Sequence, residues 1–168
     1  MQLFPARLAA AVRSSLADHL GRPPKVLAWA PAGDGHIVGL AGRLLVSDGG
    51  DWQGFPWHEI EAGRWDEKAG TLSWQDGAGD RHEVALQGRS RFTDLFNERV
   101  TASVVASRRV DLGGRRHLTL ALRRNLEPGS DETFWRVTPS PGVDLASPDV
   151  QAVLDQELAA ARADFGFA

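Results

Sequence analysis

The sequence predicts a single α+β domain built on antiparallel sheet, and three features of the 168-residue chain lead to that fold class. Apolar residues recur at helical spacing near each end and again after residue 90. Between residues 25 and 87 the apolar period changes to two. Turn residues interrupt that stretch at short intervals, which indicates an antiparallel meander of about six short strands.

Residues 5–20 are expected to form the first helix, within an N-terminal segment that we bound at 1–22. Its apolar residues recur at every fourth position and make one narrow stripe: Leu8, Val12, Leu16 and Leu20. Pro5 suits the first turn of a helix, and Gly21 suits the position just past its end. The pair Pro23-Pro24 then excludes any continuation of the helix.

Residues 25–101 are expected to hold the sheet and a second helix. The alternating apolar segments, separated by turns rich in Gly and Asp, are 26–30, 37–40, 44–46, 55–57, 60–65, 71–75 and 82–86. Residues 91–101 then return to helical spacing, and their apolar stripe consists of Phe92, Leu95, Phe96 and Val100.

One run of segments in this part of the chain carries a family resemblance. A strand pair is followed by Phe55-Pro56-Trp57-His58-Glu59-Ile60, then by Gly70-Thr71-Leu72-Ser73-Trp74, and then by a strand and a helix that opens with Phe92 and carries Leu95 and Phe96. In this order, residues 35–100 resemble bacterial PH-like domains, and the whole chain resembles a type of short actinobacterial protein. The resemblance implies a strongly bent antiparallel sheet plugged at one end by the helix, no catalytic residues, and binding of lipids or proteins. The chain departs from the simple pattern by adding a helix in front and a hairpin, a strand and a helix behind.

The extension, residues 102–168, begins with a hairpin over 104–124 that turns at Gly113-Gly114. A two-residue loop would place the apolar residues of its two strands on opposite faces of the ribbon. A three-residue loop pairs position 112 with 116 and places them on one face. We therefore predict the three-residue loop, with a glycine in the left-handed conformation. The apolar face then carries Val110, Leu112, Leu118, Leu120 and Leu122, and the other face carries Arg109, His117, Thr119 and Arg123.

A further strand over 133–138 and a C-terminal helix over 148–164 complete the extension. Ser147 is the expected N-cap, Pro148 the first helical residue and Asp149 an acid in the first turn. The apolar stripe of this helix consists of Val150, Val153, Leu154, Leu158 and Ala161.

Charge is segregated along the chain, although the net charge is only −3. Residues 89–125 contain nine arginines and three acids, while the remainder contains 10 basic and 19 acidic residues. The basic part includes three arginine doublets, which we expect at the two ends of the hairpin: Arg108-Arg109, Arg115-Arg116 and Arg123-Arg124. They are candidates for binding an anion, a nucleic acid or an acidic partner. The acidic surplus elsewhere favours the alternative, in which they pair with carboxylates of the same chain and guard a sheet edge.

Five tryptophans crowd the sheet region: Trp29, Trp52, Trp57, Trp65 and Trp74. They would suit a stacking surface for bases or sugars, but the position of four of them within strand patterns favours core packing. Trp52 is the exception, because it stands in a glycine-rich loop. We expect Trp52 to be exposed, and it is a candidate binding residue beside the arginine doublets.

No local motif for catalysis, a metal or a cofactor is present in the sequence. The chain has no cysteine, no Gly-x-Ser-x-Gly elbow and no phosphate-binding loop of the Gly-x-x-x-x-Gly-Lys type. Its five histidines lack the i, i+2 or i+4 spacing of a local metal site. A site assembled from distant residues, such as His58, Glu59 and His117, is the alternative that would make the chain an enzyme.

We therefore expect a non-enzymatic interaction module that binds a protein partner or a second copy of itself. Polyanion or nucleic-acid binding through residues 104–124 is the alternative binding function, and the acidic net charge argues against it. The loop 31–36 contains one acid and no Lys or Arg, which argues against phosphoinositide binding. Charges near the N-terminus argue against a signal peptide, and no apolar stretch is long enough to span a membrane. Since the chain also lacks cysteine, we expect a mature cytoplasmic protein.

Overall fold

The computed structural model describes residues 7–87 and 90–165. Within these ranges, three α-helices and ten strands follow one another along the chain, and the strands form three antiparallel sheets. The α+β fold class predicted from the sequence is therefore confirmed. The described residues form two compact units, one from residues up to 103 together with 125–131, and one from 104–124 together with 132–165. The expectation of a single domain stays a prediction.

The first unit contains two α-helices, seven strands and one short 3-10 helix. In chain order these elements are α1 (Ala10–Leu20), β1 (Ala28–Ala32), β2 (Gly35–Gly39), β3 (Arg43–Ser47), β4 (Trp52–Pro56), the 3-10 helix (Trp57–Glu59), β5 (Ala62–Asp66), β6 (Thr71–Gln75), β7 (Arg81–Ala85) and α2 (Arg91–Ser103).

Strands β1 to β4 form a four-stranded sheet in chain order, and strand alternation gives this sheet two apolar faces. One face includes Ile37 and belongs to the same buried cluster as Phe92 of α2. The opposite face includes Val38 and belongs to a second cluster, which contains Leu16 of α1. The sheet is therefore buried on both faces, with α1 on one side and α2 on the other.

Strands β5, β6 and β7 form a second sheet, also in chain order. Trp74 of β6 and Trp57 of the 3-10 helix are buried in the cluster that contains α2. The ring of Trp57 lies edge-on to that of Phe96, with 5.8 Å between the centroids. An isolated antiparallel bridge between Ala32 and Leu86 connects the end of β1 to the residue after β7. The bending that the PH-like resemblance implies stays a prediction.

Some boundaries in this unit differ from the predicted ones. Helix α1 begins at Ala10, whereas Pro5, where we placed its start, lies outside the described residues. Leu8 precedes the helix but is buried in the same cluster as Leu16. The apolar stripe therefore identified a residue that packs in the core, but it did not identify where the helix begins. The strand predicted over 55–57 ends at Pro56, because the chain turns into the 3-10 helix at Trp57. Helix α2 continues to Ser103, beyond the predicted end at 101.

The second unit combines a three-stranded sheet with one helix: β8 (Val104–Asp111), β9 (His117–Arg124), β10 (Thr133–Pro139) and α3 (Pro148–Phe165). Strand β9 is central in this sheet. Its Leu118 and Leu120 are fully buried in a cluster with Val150 and Leu154 of α3. The carbonyl of Ser147 accepts the N–H of Gln151 over 3.0 Å, which places Ser147 at the N-cap, as predicted.

The predicted register of the hairpin is confirmed. The N–H of Leu112 donates to the carbonyl of Arg116 over 2.9 Å, which closes the three-residue loop. Val110 consequently lies opposite Leu118, and both are buried. Gly113 and Gly114 have φ angles of 93° and 65°, a left-handed conformation that glycine adopts without steric cost.

Candidate functional site

The first arginine doublet has the predicted pairing partners, but it does not mark an end of the hairpin. Strand β8 begins at Val104, directly after α2, and a bulge between Val104 and Ala106 shifts its register against β9. This start agrees with the predicted hairpin over 104–124, and the β-branched residues at 104 and 105 favour it. Arg108 and Arg109 lie opposite Leu120 and Thr119, as predicted, but four residues of β8 precede them, so they lie within the strand and not at its far end.

Two of the candidate arginines pair with acids of α3. The guanidinium of Arg108 hydrogen-bonds to Asp164 and lies 3.6 Å from a carboxylate oxygen of Glu157. The hydrogen bond with Asp164 is the main cause of a raised pKa for Arg108. Arg116, at the turn, lies 3.8 Å from a carboxylate oxygen of Asp149. The pairing within the chain that the acidic surplus favoured is therefore confirmed for these two side chains.

The other four candidate arginines differ in their exposure. Arg109 and Arg115 are exposed, and they form no ion pair with another residue in the described ranges. Arg124 is exposed at the end of β9, whereas the neighbouring Arg123 is only 6% exposed. Because successive residues of a strand point to opposite faces, the doublets on β8 and β9 divide between the two faces of the sheet. The hairpin does not bring all six side chains to one surface.

The prediction for Trp52 was wrong. Trp52 is 8% exposed, because it is the first residue of β4 and pairs with Ser47 of β3. Its indole N–H donates to the hydroxyl of Ser15 on α1 over 3.0 Å. The glycine-rich loop ends just before it, at Asp51. Trp52 thus joins α1 to the first sheet and offers no stacking surface to a ligand.

The residues of the alternative catalytic site fall into different units. His58 is buried in the 3-10 helix of the first unit, and the adjacent Glu59 is exposed. His117 belongs to β9 of the second unit, where its backbone N–H donates to the hydroxyl of Ser140 over 2.9 Å. Within the described part of the chain, no group of three or more His, Asp or Glu side chains is placed to hold a metal ion.

A histidine–carboxylate pair lies on the second sheet. His82 of β7 is 2.7 Å from Asp76, and its ring stacks on that of Trp74. Asp76 also accepts the backbone N–H groups of Ala78 and Asp80, at 2.9 and 3.0 Å. The hydrogen bond with His82 is the main cause of a lowered pKa for Asp76. Since Ser73 lies opposite Glu83, on the other face from His82, the arrangement holds the β6–β7 turn and is not a Ser–His–Asp triad.

A groove of about 540 Å³ lies in the first unit, and we call it the basic groove. Three segments form it: the end of α1 with the linker that follows, the turn between β2 and β3, and the loop 125–131. Its lining contains four basic side chains, His19, Arg22, Lys25 and Arg43, and one acidic side chain, Glu127. Its apolar lining residues include Leu20, Pro23, Pro24, Leu40 and Pro128.

Local sequence explains how the first segment reaches the groove. Gly21 adopts a left-handed φ of 66° and ends α1 as predicted, and its N–H donates to the carbonyl of Asp18. Pro23 and Pro24 then prevent a helix, and Pro24 is buried. The linker is thereby held against the unit, with Arg22 and Lys25 exposed on either side of the two prolines.

The β2–β3 turn is held by one tryptophan. The N–H of Leu40 donates to the carbonyl of Arg43 over 2.9 Å, which closes the turn. The indole N–H of the fully buried Trp57 donates to the carbonyl of Leu40 over 2.9 Å. The backbone N–H of Trp57 donates to the carbonyl of Gly42 over 3.1 Å. Arg43 therefore stands at a turn that three hydrogen bonds hold in place.

The charges in the basic groove are only partly compensated. Arg43 Nε lies 2.5 Å from Glu127 Oε1. His19, Arg22 and Lys25 form no ion pair with another residue that the structure describes. Two positive charges, from Arg22 and Lys25, therefore remain unpaired in the groove. Carboxylate or phosphate groups are the complementary ligands for such a lining.

Sequence reasoning missed this groove because Arg43 and Glu127 lie far along the chain from the basic residues at 19–25. The available signals were small: Lys25 is one of only two lysines, and it stands with Arg22 beside the two prolines. Nothing in the sequence pattern indicated that Arg43 and Glu127 meet.

Comparisons with known proteins give no relative: no family model, no curated protein and no solved structure matches the chain. Of the helices in the described ranges, none is long and apolar enough to cross a membrane.

Proposed function

We propose that this chain is a non-enzymatic interaction module that binds an acidic segment of a protein partner in the basic groove. The observation that carries the proposal is the lining of the groove, in which four basic side chains and one acid border apolar walls. Carboxylates of Asp and Glu would pair with Arg22 and Lys25. An apolar side chain between them would lie against the prolines and leucines. The cysteine-free sequence supports a cytoplasmic location for this interaction.

A peptide fits the groove better than a nucleic acid does. A polynucleotide needs a row of cations along its backbone, whereas this groove is short and contains the carboxylate of Glu127. The arginine hairpin, the alternative site, has Arg108 and Arg116 already paired with acids of α3. The resemblance to PH-like domains also supports a binding role, and the order of four strands, three strands and a helix in the first unit is in keeping with it.

The test is a fluorescence anisotropy titration of the full chain. The probe is a short labelled peptide with Asp and Glu on both sides of a central Leu, and the control peptide carries Lys at the acidic positions. The groove variant is Arg22→Ala with Lys25→Ala. The matched control is Arg13→Ala with Lys68→Ala, which removes the same charge from exposed positions outside the groove.

We expect the acidic peptide alone to bind, with an affinity that falls as salt rises. Each exposed charge contact contributes about 0.2–1 kcal/mol, so the groove variant should bind about 2- to 30-fold more weakly. The control variant should bind like the unchanged chain. Equal loss in both variants, or tighter binding of a labelled single-stranded oligonucleotide than of the peptide, would overturn the proposal.

A further inference from the structure

We infer that Glu127 is a resident competitor for the ligand's carboxylate, and that it makes the basic groove selective for clustered acids over a single acid. The inference rests on the proposed function, since it concerns the regulation of the same groove. Three observations carry it: the contact that Glu127 makes, the loop that holds Glu127, and the space that Gly42 leaves for it.

The contact of Glu127 with Arg43 is the one that a ligand carboxylate would make. Glu127 Oε1 lies 2.5 Å from Arg43 Nε, so that edge of the guanidinium is occupied by the chain's own acid. The side chains of Arg43 and Glu127 are 39% and 24% exposed. The pair is therefore reachable from solvent, and an incoming carboxylate is able to displace that of Glu127.

The backbone of the loop that carries Glu127 is fixed independently of this ion pair. The N–H of Glu127 donates to the side-chain oxygen of Asn125 over 3.0 Å, and its carbonyl accepts the N–H of Ser130 over 3.0 Å. Leu126 packs against the main core of the first unit. Displacement of Glu127 from Arg43 therefore requires rotation of its side chain only.

This arrangement predicts a threshold in ligand charge. A ligand with one carboxylate that takes the place of Glu127 exchanges one ion pair for another and gains little. A ligand with several carboxylates also reaches Arg22 and Lys25, which form no ion pair with any residue described by the structure. Clustered acids should thus bind more tightly than an isolated acid, which gains a contact only with Arg22 or Lys25 unless it displaces Glu127.

Gly42 offers a way to displace Glu127 without changing any charge. A Cβ atom at position 42 would lie 2.3, 2.6 and 2.7 Å from Glu127 Cδ, Oε1 and Cγ. These atoms belong to the end of a flexible side chain, which is able to move away. Gly42 is not among the glycines with positive φ, so alanine is compatible with its backbone. Gly42→Ala should therefore push the carboxylate of Glu127 off Arg43 and leave the backbone in place.

The experiment is the same anisotropy titration of the full chain with Glu127→Gln and Gly42→Ala. The matched controls are Glu67→Gln and Gly50→Ala, at loop positions outside the groove. Both groove variants should bind the acidic peptide about 2- to 5-fold more tightly, the range for release of one exposed ion pair. They should also bind a peptide with a single Glu more tightly, while Gly50→Ala should leave both affinities unchanged and Glu67→Gln should show only the smaller long-range effect of losing one negative charge. Far-UV circular dichroism checks that each variant is folded.

The outcomes separate this inference from the proposed function. If the unchanged chain binds the acidic peptide but Glu127→Gln and a folded Gly42→Ala bind it no more tightly, the inference is overturned and the proposed function stands. If Gly42→Ala does not fold, Glu127→Gln against Glu67→Gln decides the question, because loss of one charge at either position has the same long-range effect. If neither the unchanged chain nor any variant binds, the proposed function and the inference both fall.

Discussion

Gly63 of β5 tests the packing of the first unit, because no other side chain fits at that position. A Cβ atom there would lie 2.1 Å from Cε1 and 2.7 Å from Cζ of Phe96. Ordinary contact begins at 3.4 Å, so the ring would have to move by about 1.3 Å, the difference between 3.4 and 2.1 Å. Phe96 is 1% exposed, and the rings of Trp57 and Trp74 lie 5.8 and 6.2 Å away. Movement of the ring would therefore disturb its packing against Trp57 and Trp74.

The expected cost of Gly63→Ala is a balance of two terms. Overpacking of a core costs about 1–3 kcal/mol, while replacing glycine restricts the unfolded chain and returns about 0.4–1 kcal/mol. We expect the free energy of unfolding to fall by about 1–2 kcal/mol, measured by urea titration with far-UV circular dichroism. Gly50→Ala is the matched control, since the nearest atom to its Cβ would be 3.5 Å away. It should be neutral or slightly stabilising.

Phe96→Leu provides the decisive second measurement. Leucine lacks the ring atoms that Gly63→Ala would strike, so the cost of the alanine should fall by about 1 kcal/mol in the Phe96→Leu background. Two results would refute the packing described here. One is a Gly63→Ala chain as stable as Gly50→Ala, and the other is an unchanged cost of Gly63→Ala after Phe96→Leu.

Three further predictions follow from individual contacts. Ser15→Ala removes the acceptor of the Trp52 indole N–H and should lower the free energy of unfolding by about 1 kcal/mol in a urea titration; an unchanged midpoint would contradict it. Asp76→Asn should destabilise the chain at neutral pH, because the lowered pKa of Asp76 means that its ionised form stabilises the fold. That contribution is present above the ordinary pKa of 3.8 and is lost as the pH falls through the lowered value, so urea midpoints of the two chains should converge in acid. Arg108→Gln should lower the thermal midpoint more than Arg109→Gln, since only Arg108 contacts Asp164 and Glu157. A salt concentration of about 1 M should reduce this difference by screening the ion pairs. Equal midpoints of the two variants at low salt would argue against these pairs.

The hairpin shows what the sequence predicts well. Apolar residues alternate on both sides of the turn. Of the two loop lengths compared, only the three-residue loop places the apolar residues of both strands on the same face of the hairpin. The pairing of position 112 with 116 and the left-handed glycines therefore followed from local pattern alone. The C-terminal helix is a similar case, because the cap at Ser147 and the apolar stripe agree on the same boundaries.

The errors occur where tertiary contacts override the local pattern. The glycines before Trp52 predict a loop, but its indole packs against α1 and donates to the hydroxyl of Ser15, which is distant in the chain. The apolar spacing that includes Leu8 predicts an earlier start for α1. The burial of Leu8, however, requires no helical conformation. In both cases the sequence shows that the side chain is apolar. Which part of the protein buries that side chain depends on tertiary packing.

Charge gives the most general comparison between the sequence and the structure. The high density of arginine predicts a binding site in residues 104–124. In an acidic chain, however, many carboxylates are available to pair with these arginines. Arg108 and Arg116 form ion pairs with carboxylates of α3. The cations of the basic groove lie mostly in a part of the chain with an acidic surplus, yet Arg22 and Lys25 form no ion pair within the described ranges. An exposed charge is available to a ligand only when no opposite charge of its own chain pairs with it. The pairing of charges within the chain, and not the density of basic residues in the sequence, therefore determines where a charged partner is able to bind. Glu127 extends the same argument, because the one acid in the groove decides how much of its positive charge a ligand meets.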